Sequence, residues 1–212
     1  MPVKDIHAHT FAKSSILSSY QMPRVIPPIE VIRVLNRAKV SFVLVGLHGL
    51  VGWLKEPRGT EDVDLIVAAK HHKRAVAALL RAFPHLHAVD LRAVTRFMEH
   101  ESETVLIDVI KPIQQPHREI FKHVKTLTVG RQSYRIPSLE MAIALKFAAM
   151  TSHNWAQADK FQDAHDFILI VNANPEIELP KLRSLGELVF PTGGSELLEM
   201  VRRVRNGERL VF

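Results

Sequence analysis

The sequence predicts an α+β fold, in which a strand-rich half with intervening helices is followed by an all-helical half. Short apolar runs rich in valine and isoleucine recur before Pro137, which is the pattern of buried strands. After Pro137 the apolar residues recur with helical spacing. A chain of 212 residues, 47% of them hydrophobic, has room for one core of ordinary domain size and a small helical addition.

Prolines divide the chain into three parts. Residues 1–28 are interpreted as an N-terminal arm, which ends in the breaker Ile26-Pro27-Pro28. Residues 29–137 are predicted to form the core domain, and residues 138–212 a C-terminal helical region.

Each element of the core domain has a signal of its own. Apolar residues at helical spacing predict the helix that ends before Pro84, and β-branched runs predict the strands. The predicted elements are a helix opened by Pro27 or Pro28, a strand over Ser41–Gly46, a short helix or turn over Leu47–Lys55, a loop over Pro57–Thr60, a strand over Asp62–Val67, a helix over His71–Phe83, a strand over Val94–Met98, a turn over Glu99–Glu103, a strand over Thr104–Ile110, and a hairpin of Lys125–Val129 with Tyr134–Ile136 turned at Gly130.

The C-terminal region is predicted to contain three helices. Ser138 is a favourable N-cap for an apolar helix over Leu139–Met150. A second helix over Trp155–Val171 ends before Asn172-Ala-Asn-Pro175, and an amphipathic helix over Ser195–Asn206 ends at Gly207.

Composition excludes several classes of site. The chain has no cysteine, so disulfides and thiolate metal sites are ruled out, and its twelve histidines include no His-Glu-x-x-His zinc motif. No apolar run approaches the roughly 18 residues of a membrane span, and Met1–Tyr20 lacks a secretory pattern, so a cytoplasmic location without membrane contact is expected. A net charge of +6 favours polyanionic partners such as nucleotide phosphates or RNA.

Three aspartates carry the strongest chemical signal. Asp62 and Asp64 are two apart in a predicted strand, so their side chains share one face. Asp108 interrupts the otherwise apolar strand Val105–Ile110, where an unpaired carboxylate is costly to bury. If the two strands are neighbours, the three carboxylates converge into a hard-oxygen site suited to Mg²⁺ or Mn²⁺ with a nucleoside triphosphate. For Asp108 alone, an ion pair with an arginine is the alternative.

A glycine turn precedes these acids. Gly46 and Gly49 flank Leu47 between a predicted strand and a short helix. Backbone N–H groups at such a turn can bind phosphates, although the glycines can equally serve only to make the turn tight.

The ordered set of motifs resembles the nucleotidyltransferase fold of the polymerase-β superfamily, most closely the AbiEii-like and minimal nucleotidyltransferases. The resemblance covers about residues 29 to 171 and rests on a glycine turn followed by Arg-x-Thr-x-Asp-x-Asp and a later acid. The matching residues are Gly46, Gly49, Arg58, Thr60, Asp62, Asp64 and Asp108, with Pro137–Lys146 and Lys160-x-x-Asp163-x-x-Asp166 in the helical half.

The resemblance implies a mixed β-sheet flanked by helices and transfer of a nucleoside monophosphate from a nucleoside triphosphate to an acceptor. Asp62, Asp64 and Asp108 would be the catalytic metal ligands. The nucleotide-binding residues would be Gly46, Leu47, Gly49, Arg58, Thr60 and Lys146. RNA, a protein or a small molecule could be the acceptor. Several relatives are toxins, so a cognate antitoxin is a further expected partner.

Other interpretations remain open. The family usually has a small residue or serine where this chain has Leu47, which lacks a hydroxyl and has the bulk to crowd a phosphate. A non-catalytic nucleotide-binding or interaction module on the same fold is therefore the second hypothesis.

A basic RNA-binding protein without a catalytic site is the third hypothesis. Its candidate patch consists of Arg202, Arg203, Arg205 and Arg209. For Lys146, a snorkelling lysine is as favoured as a lysine with a phosphate or carboxylate partner. Asp163 and Asp166 are interpreted as an ordinary charged face paired with Lys160.

Overall fold

The computed structural model describes residues 25–55, 59–153 and 156–210. Residues 1–24 of the predicted arm, and Trp155 at the start of a predicted helix, lie outside this part. Within it, no helix is long and apolar enough to cross a membrane.

A five-stranded mixed sheet forms the first half of the fold. Its strands stand in the order β1-β2-β5-β4-β3, with β2 and β5 parallel and the other pairs antiparallel. The strands are β1 Phe42–Leu44, β2 Val63–Val67, β3 Leu86–Asp90, β4 Val94–Glu99 and β5 Val105–Ile110. A separate hairpin of β6 Val124–Val129 and β7 Gln132–Pro137 follows, with Gly130 at φ +59° in its turn.

Helices cover both faces of this sheet. The bounds are α1 Pro28–Arg37, α2 His72–Ala82, α3 Leu139–Thr151, α4 Gln157–Ala173, α5 Leu179–Glu187 and α6 Gly193–Arg205. Ser138 caps α3 as predicted, since its hydroxyl accepts a hydrogen bond from the Met141 amide at 3.4 Å. The mixed sheet flanked by helices and followed by a helical region agrees with the predicted fold class.

The alternation of side chains along β2 decides which face holds which core. Val63, Leu65 and Val67 pack against α1 and α2 in one hydrophobic cluster. Ile66 belongs to the other cluster, which contains the buried residues of α3 to α6. Because residues two apart share a face, Asp64 lies on the side of the sheet that faces the C-terminal helices.

One strand and one α-helix were not predicted. The first is β3, whose Leu-His-Ala-Val-Asp sequence contains a single β-branched residue and has no clear alternation. The second is α5, which contains Pro180 and Gly186; the proline is tolerated because it lies in the first helical turn.

Candidate active site

Asp64 and Asp108 lie side by side on neighbouring strands. The parallel pairing of β2 with β5 makes them direct partners in the register. The expectation that their two strands adjoin is therefore confirmed. Asp64 is partly buried, and the side chain of Asp108 is 16% exposed. Two carboxylates of this kind repel each other unless a cation or a proton intervenes.

Gly46 leaves the space in which the Asp64 carboxylate lies. A Cβ atom on Gly46 would be 2.0 Å from Asp64 Oδ2 and 2.8 Å from its Cγ. The backbone of Gly46 also has φ +56°, a conformation that favours glycine. The adjoining Val45 N–H donates to the Asp64 carbonyl oxygen at 2.9 Å, so turn and strand are held together. Glycine is thus required at this position for two separate reasons.

Asp62 lies just before β2 rather than within it. The hydroxyl of Thr60 donates a hydrogen bond to Asp62 Oδ1, which ties the loop to this carboxylate. Asp62 is close enough to raise the pKa of both Asp64 and Asp108 by charge repulsion. Among the described residues, however, no three histidine, aspartate or glutamate side chains are grouped closely enough to enclose a metal ion.

In the electrostatics of the pair, burial and negative neighbours outweigh the nearby positive charges. Burial first, and then repulsion from Asp62 and Asp108, raises the pKa of Asp64 to about 7. Burial raises the pKa of Asp108 to about 6, against the opposing effect of Arg96. Near neutral pH the pair therefore holds a proton for part of the time, and a bound cation would compete with that proton.

Arg96 is a neighbour of this site that the sequence analysis did not single out. It lies on β4 directly opposite Asp108, and its Nε is 3.5 Å from Asp108 Oδ2. The arginine partner considered as an alternative for Asp108 is therefore present on the neighbouring strand. A charged residue inside the predicted strand Val94–Met98 was the available signal, but pairing between strands cannot be read from it.

The turn between β1 and β2 differs in detail from the expectation. Leu47 is 5% exposed and packs in the core, so its side chain does not crowd the site, contrary to the concern raised by its bulk. The element after it is a single 3₁₀ turn, His48–Leu50. The Gly49 N–H donates to the Val45 carbonyl at 2.9 Å, so this amide is already engaged.

Lys146 is the centre of a buried ion cluster between two helices. Its Nζ is 2.7 Å from Asp163 Oδ1 and 2.7 Å from Asp166 Oδ2. Burial works against its charge, but the two carboxylates together raise its pKa. The prediction of a solvated acidic face paired with Lys160 is wrong, because Asp166 is fully buried and both acids contact Lys146. Snorkelling does not describe Lys146, whose side chain is 12% exposed.

The buried ion cluster also forms one side of the candidate site. The charges of Lys146 and Asp163 act on Asp64, the first lowering and the second raising its pKa. The helical half thus contributes to the electrostatics of the carboxylate pair.

Two other groups of predicted residues have different outcomes. Arg58 lies outside the described residues, so its position stays a prediction. Of the C-terminal arginines, Arg202 forms ion pairs with Glu199 and Glu208, Arg203 forms one with Glu199, and Arg205 donates to the Pro175 carbonyl. A basic surface of free guanidinium groups is therefore not what this helix presents.

Comparison with solved structures identifies the architecture. A candidate nucleotidyltransferase from H. pylori matches with a TM-score of 0.51 and 17% identity, over 85% of this chain and 94% of that one. ANT(2")-Ia, solved in complex with adenylyl-2"-tobramycin, matches with a TM-score of 0.51 and 11% identity, over 84% and 95%. The chain has the nucleotidyltransferase fold. No protein-family profile matches its sequence, and neither does any curated protein.

The paired acids have a defined place in this sheet. In the present chain the glycine turn follows β1, and the two aspartates lie on the parallel strands at the centre of the sheet. The likeness concerns the fold, because identities below one fifth leave the residues of the site to be argued from this chain alone.

Proposed function

We propose that this protein transfers a nucleoside monophosphate from a nucleoside triphosphate to an acceptor hydroxyl, with Mg²⁺ or Mn²⁺ as cofactor. The observation that carries the proposal is the pairing of Asp64 with Asp108 behind a glycine whose missing side chain makes room for the first carboxylate. Purely structural carboxylates would be expected to have cationic partners within hydrogen-bond distance.

The residues present fit a hard divalent cation by their chemistry. Asp64, Asp108 and Asp62 supply only oxygen donors, and Asp108 Oδ1 is buried without a hydrogen-bond partner in the described structure. Asp64 and Asp108 would hold the cation, and Asp62 would have to approach them, since the three are not yet grouped around one point. When bound, a divalent cation supplies charge neutralisation at the phosphates and favours ionisation of the acceptor hydroxyl.

The chain's own residues have separable roles in this proposal. The backbone around Gly46 and Leu47, with Arg58, Thr60 and Lys146, belongs to the nucleotide side, where Lys146 acts from within its ion cluster. The acceptor oxygen attacks the α-phosphorus, the bond from phosphorus to the bridging oxygen breaks, and pyrophosphate leaves. Asp108, beside the cation, would also help to take up the hydroxyl proton.

The acceptor is proposed only by class. RNA, a protein or a small molecule would each provide a hydroxyl, and the adenylylated tobramycin bound by ANT(2")-Ia is an example of a small-molecule acceptor in that protein. A toxin that modifies such an acceptor, together with a cognate antitoxin, is the finer form of the proposal.

Transfer of label from an α-phosphate-labelled nucleoside triphosphate tests the proposal. Each of the four nucleotides is offered with Mg²⁺ or Mn²⁺ and with RNA, protein or small-molecule acceptors, and Asp64→Asn is expected to lose at least about 100-fold of the rate. Asp159→Asn, an exposed aspartate on α4, is the matched control and should retain activity. Full activity in Asp64→Asn, with its fold intact by circular dichroism, would refute the assignment.

The second candidate is a nucleotide-binding module without turnover. The engaged Gly49 amide and the leucine in place of a small residue favour it, because both reduce the groups available to a triphosphate. It expects no label transfer but a rise of Tm with nucleotide that requires a divalent cation and is lost in Asp64→Asn. Absence of any Tm shift with every nucleotide would contradict both candidates.

A further inference from the structure

Arg96 completes a row of charged side chains across the centre of the sheet. Asp64 on β2 is paired with Asp108 on β5, and Asp108 is paired with Arg96 on β4. Partners in register project from the same face. Asp108 therefore has an acid on one side and a base on the other, and its carboxylate lies between them.

The contact between Arg96 and Asp108 is not the closed ion pair that stability alone would favour. Arg96 Nε is 3.5 Å from Asp108 Oδ2, beyond the usual charge-assisted hydrogen bond. In the same sheet, Lys111 closes on Asp90 at 2.7 Å. Both Arg96 Nε and Asp108 Oδ1 are buried and without a hydrogen-bond partner among the described residues.

These two unpaired atoms lie close to a local irregularity of the sheet. The register between β4 and β5 shifts between Phe97 and Met98, one residue beyond Arg96. Such bulges re-aim neighbouring side chains and are frequent beside active sites. The Arg96 side chain is 41% exposed as a whole, although its Nε is buried against Asp108.

We propose that Arg96 is a positioning residue for the third carboxylate. It draws Oδ2 of Asp108 toward β4, so that Oδ1, the oxygen without a partner, is presented to the divalent cation shared with Asp64. This proposal rests on the proposed function, because it assumes that the carboxylate pair binds a cation. It assigns separate tasks to the two oxygens of Asp108, one toward arginine and one toward metal.

An opposite account gives Arg96 the role of a simple counter-charge. A guanidinium that merely neutralises Asp108 competes with a cation for the same carboxylate, so its removal should strengthen cation binding. A positioning residue preorganises the ligand, so its removal should weaken cation binding even though a positive charge has been taken away. The sign of the change therefore separates the two accounts.

The test is a titration of the whole chain with Mn²⁺ alone. Electron paramagnetic resonance measures the concentration of free Mn²⁺ at each step and so gives the affinity. Arg96→Met keeps most of the side-chain volume without the guanidinium, and Mn²⁺ affinity is expected to fall about 10-fold. Arg96→Lys restores the charge without Nε and should give an intermediate affinity. Arg92→Met removes an exposed arginine from the neighbouring turn and controls for the change in net charge.

The possible outcomes distinguish failure of the positioning role of Arg96 from failure of the proposed metal site. Unchanged or tighter Mn²⁺ binding in Arg96→Met, relative to Arg92→Met, overturns the positioning role while the metal site stands. If the wild-type protein binds no Mn²⁺, or Asp64→Asn binds it equally well, the proposed metal site fails and the role of Arg96 falls with it. Thermal unfolding without metal verifies that each variant is folded. If Arg96→Met does not fold, the affinity of Arg96→Lys for Mn²⁺ decides the test, because a counter-charge would be restored by lysine and a positioning contact through Nε would not.

Discussion

At the scale of single residues, the contact between Gly46 and Asp64 connects backbone geometry to the chemistry of the site. A positive φ and a missing Cβ are both needed here, and the second need comes from a carboxylate rather than from a hydrophobic neighbour. A side chain at position 46 would have to displace the Asp64 carboxylate. The glycine therefore acts on the orientation of the acid as well as on the turn.

Gly46→Ala is expected to cost more than backbone strain alone. The positive φ disfavours alanine by about 1–2 kcal/mol, and the clash with Asp64 adds to this cost. Gly130→Ala is the matched control, because Gly130 has φ +59° and open space at its Cβ position. Urea unfolding should show a larger loss for Gly46→Ala than for Gly130→Ala.

A double-mutant cycle measures how much of the stability cost of Gly46→Ala comes from the Asp64 carboxylate. In an Asp64→Ala background the Oδ2 and Cγ atoms are gone, so Gly46→Ala should cost about as much as Gly130→Ala. Equal costs of Gly46→Ala in the wild-type and Asp64→Ala backgrounds would show that the close approach does not constrain the acid.

The acids themselves could be predicted from sequence because they break local rules. Asp108 interrupts an apolar strand, and Asp64 alternates with buried valine and leucine, so each is anomalous within its own segment. Arg96 is not anomalous, since a charged residue on the open side of a strand is ordinary. Its significance depends on the register with Asp108, which is a property of the assembled sheet. The side chain of Leu47 enters the core because of the direction of the turn, which the local sequence does not specify.

At the scale of elements, the ion cluster of Lys146 joins α3 to α4. One ammonium group lies between two carboxylates, and Asp166 is fully buried. The desolvation of such charges is compensated only while every partner is present. Loss of the lysine would leave two neighbouring carboxylates of α4 without the positive charge that α3 supplies to both.

Lys146→Met should therefore destabilise the protein by about 3–5 kcal/mol, although methionine suits the apolar surroundings. Lys160→Met, at the position expected from sequence to pair with Asp163, should change stability by less than about 0.5 kcal/mol, since no ion pair to Lys160 is seen in the described structure. Urea unfolding of both variants provides the measurement. A larger loss for Lys160→Met than for Lys146→Met would contradict the observed pairing.

Helices and strands were predictable from sequence where their apolar residues follow one clear period and their ends are marked. The helices α2 and α3 and the hairpin β6–β7 have caps, breakers or a glycine turn at their ends, and their bounds lie close to the predicted ones. The strand β3 depends instead on its pairing with β4, because its own residues have little strand preference. The same dependence on context explains α5, whose buried Leu182 and Leu185 contact the other helices rather than forming a long apolar stripe.

At the scale of the whole molecule, the sheet and the helical half share a core. Val43, Val45 and Ile66 of the sheet side belong to the same hydrophobic cluster as Phe147 and Phe167 of the helices. The predicted boundary at Pro137 therefore separates two halves in sequence while apolar contacts cross it. The carboxylate pair lies on this same face of the sheet, so the stability of the helices and the geometry of the site are expected to be coupled.

Phe147→Ala tests that coupling. Phe147 is fully buried, and its ring lies 5.5 Å from that of Phe190 between centroids. Its removal should cost about 3–5 kcal/mol, and hydrogen exchange should accelerate in β1 and β2 as well as in α3, because one cooperative unit opens together. Phe161→Ala, at a residue that is 60% exposed, is the matched control and should leave exchange in the strands unchanged. Retained protection of β1 and β2 in Phe147→Ala, with protection lost only in the helices, would instead establish residues 29–137 as an independently stable domain.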